Sequence, residues 1–318
     1  MMSAEPYVVT FGETMALMAA NQAGPLAHAA TMSVGIGGSE SNVAIGLQRL
    51  GVQAVWCGRI GADSLGRLVE REIRAEGVDV RATVDPEAPT GLMIKERRTP
   101  TAQKVAYYRS GSAGSRLAPD DVDPRLIADA ALLHTSGITP ALSSQAAAAL
   151  KYAVAVARES GIPVSFDLNY RSKLWDAGTA GSAYREIIPL ADIVFAGLEE
   201  AEIAVGTASD AEEAARRIAA MGPRQVVIKL GADGALALID GNLYLQEAHP
   251  IEAIDTVGAG DAFVAGYLAE FVAGLGPVER LLTAAKSGAF VCLVPGDWEG
   301  LPRRDELGLL AHHEPVSR

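Results

Sequence analysis

Cysteine is almost absent from this chain: Cys57 and Cys292 stand alone, each in an apolar setting. Two isolated thiols supply no disulfide framework, and both are expected to be reduced and buried. Histidine is scarce as well. His28, His134, His249, His312 and His313 are scattered, none has zinc-site spacing with a cysteine, and no structural metal is expected. The adjacent His312 and His313 fall in a polar tail, where solvation is the expectation. No apolar run reaches the roughly 18 residues that a bilayer-spanning helix needs. The chain also passes from Met1-Met-Ser-Ala-Glu-Pro6 straight into a strand-like run, without the basic-then-apolar order of a secretory signal. A cytoplasmic protein is expected. Cations are the minority charge, 27 Lys and Arg against 39 Asp and Glu, for a formal net charge of −12. No Lys/Arg cluster is dense enough for a duplex-binding face, so neither a nucleic-acid nor a membrane partner is expected. An anionic small molecule would need a few placed cations, because the net field repels it.

What the chain has in quantity is apolar surface. Hydrophobic residues make up 49% and charged residues 21% of 318, enough for a sizeable core. The length fits a single domain over residues 1–318, α/β in class and carrying a small insertion. Strands are expected at Tyr7–Phe11, residues 54–60, 131–135, 163–167 and 193–196, Gln225–Lys229 and Ala235–Ile239. Helices are expected at residues 42–50, 64–76 and 143–159, Leu198–Val205, and residues 210–220 and 261–273. Strand and helix alternating at this spacing argue βαβ units and a mainly parallel sheet. The stretch 143–159 shows the logic: Ser143 or Ser144 can cap its start, while Gly161 and Pro163 close it. Two segments, about 12–37 and 88–110, break the alternation with strand-like patterns and no helix. Residues 91–98 and 102–108 read as a hairpin around Thr99-Pro100-Thr101, either a surface ornament or a small β-lid beside the main domain.

The stretch Asp255-Thr-Val-Gly-Ala-Gly-Asp-Ala-Phe263 carries the most chemistry. Gly258 and Gly260 allow a tight path and close backbone approach to a ligand. An apolar helix follows, so Gly258, Ala259 and Gly260 can present N–H groups at a helix N-terminus, where the dipole favours anions. Such a hole suits charge developing on a transferring phosphoryl group. Asp261 stands at its mouth. There it can be a plain N-cap, or a base taking the proton of a hydroxyl that attacks phosphorus, and one orientation serves both. Two rival phosphate motifs fail. Gly61-Ala-Asp-Ser-Leu-Gly66-Arg67-Leu68 lacks the Lys and Ser/Thr of a P-loop, and Val34-Gly-Ile-Gly-Gly38 misses the dinucleotide spacing.

These residues resemble a known family. The run from Asp255 to Phe263 is similar to the C-terminal signature of the ribokinase-like (phosphofructokinase-B type) carbohydrate kinases. Gly37-Gly-Ser-Glu-Ser-Asn42-Val-Ala44 resembles their N-terminal sugar motif, and Gly58-Arg-Ile-Gly-Ala-Asp63-Ser-Leu-Gly66 a further family segment. The likeness runs from about Val8 to Pro302. It implies a ribokinase-like three-layer α/β/α fold, a mainly parallel central sheet with a small β-lid, ATP as phosphoryl donor and Mg²⁺ as its counter-ion. It further implies Asp261 as catalytic base, with Gly258, Ala259 and Gly260 as the anion hole. Gly38, Asn42, Tyr107 and Arg109 would contact the sugar, and Asp297 would be a late substrate contact. Asn169 and Arg171 would reach ATP, the arginine also the transferred phosphate. Lys229, Gly231 and Gly234 fit the nucleotide loop, with Gly258 and Gly260 beside them.

Within the family, Tyr107-Tyr-Arg109-Ser-Gly-Ser-Ala-Gly114, Ser136-Gly-Ile-Thr-Pro-Ala-Leu142 and Phe166-Asp-Leu-Asn-Tyr-Arg171-Ser-Lys-Leu-Trp175 most resemble 2-keto-3-deoxygluconate kinases. That substrate carries a carboxylate, which Arg109 and Arg171 could neutralise unless each is tied up in an ion pair. The leading expectation is phosphorylation of the primary hydroxyl of a sugar acid. A fructokinase or another kinase of the family is the nearer alternative, and a non-catalytic sugar or nucleotide sensor the remote one. One departure stands out: where many members have Asn-x-x-Glu, this chain has Gly197-Leu-Glu-Glu200. Direct protein ligation of Mg²⁺ is therefore not expected, and Glu200 would act only through water. Exposed lid edges, with Met15, Leu17 and Leu92 nearby, suggest a homo-oligomer formed lid to lid.

Overall fold

Alternating side chains in a strand point to opposite faces, and the layering follows from that alternation. In the computed structural model, which describes residues 6–99 and 102–311, strand β1 (Tyr7–Phe11) sends Val8 to one core and Val9 and Phe11 to the other. Two apolar layers result, one on each face of the sheet. The remaining strands are β2 (Met15–Ala20), β3 (Met32–Gly37), β4 (Gln53–Gly61), β5 (Asp79–Asp85), β6 (Leu92–Arg97) and β7 (Gln103–Tyr108). They continue with β8 (Leu132–Ser136), β9 (Val164–Asp167), β10 (Ile193–Gly197), β11 (Gln225–Lys229), β12 (Ala235–Ile239) and β13 (Asn242–Gln246). Of the expected turn at residues 99–101 only Thr99 lies among the described residues; His312 and His313 lie outside them.

Among the described residues the main sheet runs β13-β12-β11-β10-β9-β8-β1-β4-β5. All neighbours from β11 to β5 are parallel, and only β12 and β13 join antiparallel at one edge. The mainly parallel, three-layer expectation holds. From β1 the chain goes first to β4 and β5 on one side, then to β8 and onward on the other. A crevice opens at such a switch point beyond the carboxyl ends of the strands, which is where ligands bind in open α/β sheets. The unexpected strands β5 and β13 are both edge strands, with much of each exposed. Half-solvated edges lack the apolar run that marks the inner strands.

The two helices that flank the crevice both start earlier than their apolar periodicity suggests. The first spans Ser39–Arg49 and is capped by Gly38; the second spans Ala259–Val272 and is capped by Gly258. Polar or small residues in a first turn hide the start of a helix from a hydrophobic pattern. The second helix is buried from Asp261 to Glu270 on all sides, between the sheet, the first helix and helix Pro277–Val291. An apolar helix without a solvated face fits that position.

The lid is a four-stranded sheet, β3-β2-β6-β7. Its two hairpins are antiparallel as expected, but β2 and β6 join them in parallel, Ala16 opposite Leu92. A parallel pair needs a long crossover, and the excursion through the main domain between β3 and β6 supplies it. The expectation that Met15 and Leu17 face outward toward a second lid is corrected here. Both are buried with Met93 in the lid's own small core, and Leu92 is half-buried.

Candidate active site

Asp261 stands at the third position of its helix, not at the cap. Gly258 holds the cap with φ +80°, and a Cβ there would lie 2.0 Å from the Asp297 carbonyl oxygen, so only glycine fits. The Asp261 carboxylate engages side chains: Oδ1 accepts from Ser39 Oγ at 2.7 Å and Oδ2 from Asn42 Nδ2 at 2.8 Å. The cap alternative is thereby removed. Asn169, in a left-handed backbone (φ 40°) that asparagine tolerates, donates to Ser39 Oγ at 2.7 Å. That donation turns the serine hydrogen toward Asp261. Burial lifts Asp261 above the ordinary aspartate value, opposed by the Ser39 and Asn42 hydrogen bonds and then by the charges of Arg171 and Lys229.

Of the three N–H groups expected to face an anion, those of Gly258, Ala259 and Gly260, one is already engaged. Ala259 N–H turns back to the Thr256 carbonyl at 3.3 Å, and the helical ladder begins with Ala262 N–H on the Gly258 carbonyl at 2.8 Å. The Gly258, Gly260 and Asp261 N–H groups lie ahead of that ladder, at the positive end of the helix dipole.

A cavity of about 490 Å³ lies between this loop and the lid, and it collects most of the expected sugar contacts: Gly38, Asn42, Tyr107, Arg109, Arg171 and Asp297. Gly38 is packed so closely that a Cβ would meet the Glu13 carbonyl at 2.5 Å. Arg109 is committed to a partner that periodicity does not reveal. Its guanidinium grips buried Glu13, Nε at 2.8 Å, while Ser112 Oγ donates to the other carboxylate oxygen at 2.5 Å. Asp297 is likewise engaged: buried Lys95, from the lid, donates to Oδ1 at 2.6 Å and sits 3.7 Å from Asp255. Burial raises Asp297, and the Lys95 charge opposes the rise. Arg171 is exposed into the cavity, and among the described residues no carboxylate pairs with it.

A second, largely apolar cavity of about 430 Å³ adjoins the first through Lys229, Thr256 and Gly260. It collects Gly231, Gly234 and Ala259, and Phe263 and Cys292 line its far wall. Cys57 and Cys292 are both free and buried. Lys229 Nζ donates to both oxygens of Asp167 at 2.8 Å. Burial works against the Lys229 charge, but the carboxylates of Asp167, Glu200 and Asp261 together more than offset it and raise the lysine above its ordinary value. Each oxygen of Glu200 accepts one hydrogen bond, Oε2 from Gly197 N–H at 2.7 Å and Oε1 from Tyr170 N–H at 2.8 Å, tying the ends of β9 and β10 together.

Asp261, Asn42, Gly258 and Lys229 thus meet in one crevice. Asn169 lies in the larger cavity, away from Gly231 and Gly234. The residues missed are Ser39, Glu13, Lys95 and Asp167. The hydroxyl of Ser39 beside Asn42 in the first motif was the one signal available; the others are partners brought in from far along the chain. Among the described residues no three acidic, histidine or cysteine side chains gather as a metal cage. With Glu200 and Asp167 occupied by hydrogen bonds, Mg²⁺ fits this donor set as the companion of the nucleotide's phosphates and water.

Two adjoining cavities, a buried carboxylate in the wall of the first beside the Gly260 that both share, and a helix N-terminus there define the class: a phosphoryl-transfer enzyme acting on a hydroxyl. The chain belongs to the pfkB family of carbohydrate kinases, whose family model, "pfkB family carbohydrate kinase", matches residues 5–304. It is 36% identical over 305 residues to the 2-dehydro-3-deoxygluconokinase of Bacillus subtilis strain 168, covering 94% of this chain and 93% of that one. A 2-dehydro-3-deoxygalactonokinase of Haloferax volcanii is also 36% identical, over 293 residues, with 91% and 92% covered. The solved structure of a putative ribokinase II from E. coli in complex with ATP and Mg²⁺ superposes with a TM-score of 0.89 at 25% identity, covering 96% of this chain and 99% of that one. The protein is thus an ATP-dependent carbohydrate kinase of that family. Among the described residues no helix is long and apolar enough to cross a membrane.

Proposed function

We propose that the chain phosphorylates the primary hydroxyl of 2-keto-3-deoxygluconate, giving the 6-phosphate. The observation that carries the reaction is the placement of Asp261, held by two uncharged donors in the wall of the first cavity, next to Gly260, which both cavities share. In this reading the substrate hydroxyl reaches Asp261, which takes its proton as the oxygen attacks the γ-phosphorus. Gly260 and Asp261 N–H groups and Lys229 receive the charge that develops on the phosphoryl oxygens. Arg171, the cavity cation without a carboxylate partner, meets the substrate carboxylate or the phosphate, and Arg109 contributes the donors that Glu13 leaves free. Gly231 and Gly234 let the nucleotide lie close to the backbone, with Asn169 and Gly258 at its phosphate end. The lid closes over the sugar and keeps water from the phosphate.

The acid-sugar assignment rests on Arg171 and on the names of the relatives. The pairing of Arg109 with Glu13 favours the second reading, a neutral-sugar kinase such as a fructokinase, because it neutralises one of the two expected anchors. An ADP-release assay over gluco and galacto 2-keto-3-deoxy acids, fructose and ribose decides. The acid sugars should exceed fructose in kcat/KM by about tenfold or more, as expected when a charged group loses its partner; fructose as the best substrate would sink the assignment. The protein is further proposed to work as one kinase domain with its lid, in the cytoplasm where MgATP is supplied, and as a homo-oligomer joined through the lid.

A further inference from the structure

Beside the sugar cavity lies a larger one, about 750 Å³, that the reaction as described does not use. It opens between β7 and the loop that follows β9, and shares Val105, Tyr107, Arg109 and Arg171 with the sugar cavity. To these it adds Lys173 and Tyr170. Among the described residues no Asp or Glu lines it. That composition is unusual in a chain of formal charge −12, where most surfaces repel anions.

The cations are arranged, not scattered. Arg109 and Lys173 both lie near the Tyr107 ring, at 5.8 and 5.3 Å from its centroid. Lys173 Nζ donates one hydrogen bond, to the Val105 carbonyl at 2.7 Å, which leaves two of its three donors for a ligand. Among the described residues neither Arg171 nor Lys173 pairs with a carboxylate. With Arg109 already paired to Glu13, the net positive charge of this concave surface comes from Arg171 and Lys173, and low-dielectric walls focus its field and raise the local concentration of counter-charged ligand.

We infer that this cavity is a capture vestibule for the carboxylated sugar, from which the substrate passes between Tyr107 and Arg171 into the reaction cavity. The inference rests on the acid-sugar reading above. Of its cations Lys173 alone lines this cavity without also lining the one that holds the glycine loop and Asp261, so it governs capture and not the chemical step. A rim charge of this kind acts on association rate and salt dependence.

The test compares the intact enzyme with Lys173→Gln, which keeps a donor for Val105 but loses the charge, and Lys173→Arg, which keeps the charge. At low ionic strength Lys173→Gln should lower kcat/KM for 2-keto-3-deoxygluconate about threefold or more with kcat unchanged, while Lys173→Arg stays near the parent value. The difference should vanish at about 1 M salt, where the screening length is about 3 Å. Equal kcat/KM for parent and Lys173→Gln at low salt overturns the vestibule. A loss by the same factor at every salt concentration also overturns it, in favour of Lys173 as a mechanical pin on the lid. Failure of the underlying reading shows separately, as a parent enzyme that does not turn over the acid sugar at all; the vestibule falls with it.

Discussion

Asp261 shows how far single residues can be read from a sequence. Its motif is local, so the glycine that turns the chain, the helix that follows and the carboxylate between them all lie within one short stretch. Its partners do not. Ser39 is 222 positions away, and Glu13 and Arg109 are 96 apart. A single sequence carries no signal for such pairs, and so it leaves Arg109 open between a free anchor and an ion pair with an unnamed partner. The carboxylate itself yields a prediction. Asp261→Asn keeps the size of the side chain but removes the proton acceptor, and kcat should fall by about 10²–10⁴. The base works only when ionised, so activity is lost as pH falls through its pKa. Because burial raises that pKa, the acid limb of kcat/KM should start above the ordinary aspartate range. A pH–rate profile checks both points: the limb should be missing from the residual activity of the variant, and its persistence there would move the titration to another group, such as Asp167.

At the level of elements, inner strands and long helices were legible because burial on both faces writes a continuous apolar run. Element starts were less so. Ser39 and Ala259 open their helices before any apolar periodicity begins, and those first turns are where the site is built. The lid was legible as one hairpin and a second strand-like segment, but its central parallel pair depends on a crossover through the main domain, which no local pattern encodes. The lid also leaves work for a partner. Its outer strands β3 and β7 are sheet edges, and Val34 on β3 and Tyr108 on β7 are 57% and 62% exposed. Unpaired edges with apolar side chains favour pairing with another chain. If the proposed oligomer forms there, light scattering should give a multiple of the chain mass, and Val34→Lys should shift it toward the monomer. A parent protein that scatters as a monomer at all concentrations would leave the lid edges free and the proposal without support.

At the scale of the whole molecule, three elements meet at the switch point, and a buried carboxylate lies among them. Glu40 enters from the first helix and is fully buried. Ser136, at the end of β8, donates to its Oε1 at 2.7 Å, and Gly12, just past β1, has room for no Cβ beside it. Among the described residues its Oε2 has no hydrogen-bond partner. Burial pushes Glu40 up to about 7, with the Ser136 hydrogen bond opposing. The consequence for stability has a definite sign. Between the ordinary value of 4.5 and about 7 the folded chain holds a proton that the unfolded chain has released. Raising pH through that window therefore favours the unfolded state, and the loss is complete above it. Glu40→Gln keeps an acceptor for Ser136 without a charge to desolvate. Thermal unfolding of parent and variant should coincide near pH 4.5 and separate as pH rises. By pH 8 the variant should melt higher by several degrees, since about 1 kcal/mol moves Tm by roughly 2–4 °C in larger domains. A variant that melts lower than the parent at pH 8 would mean that ionised Glu40 is stabilised at the switch point, through its Oε2 or through the charge of Arg109, by more than burial costs it.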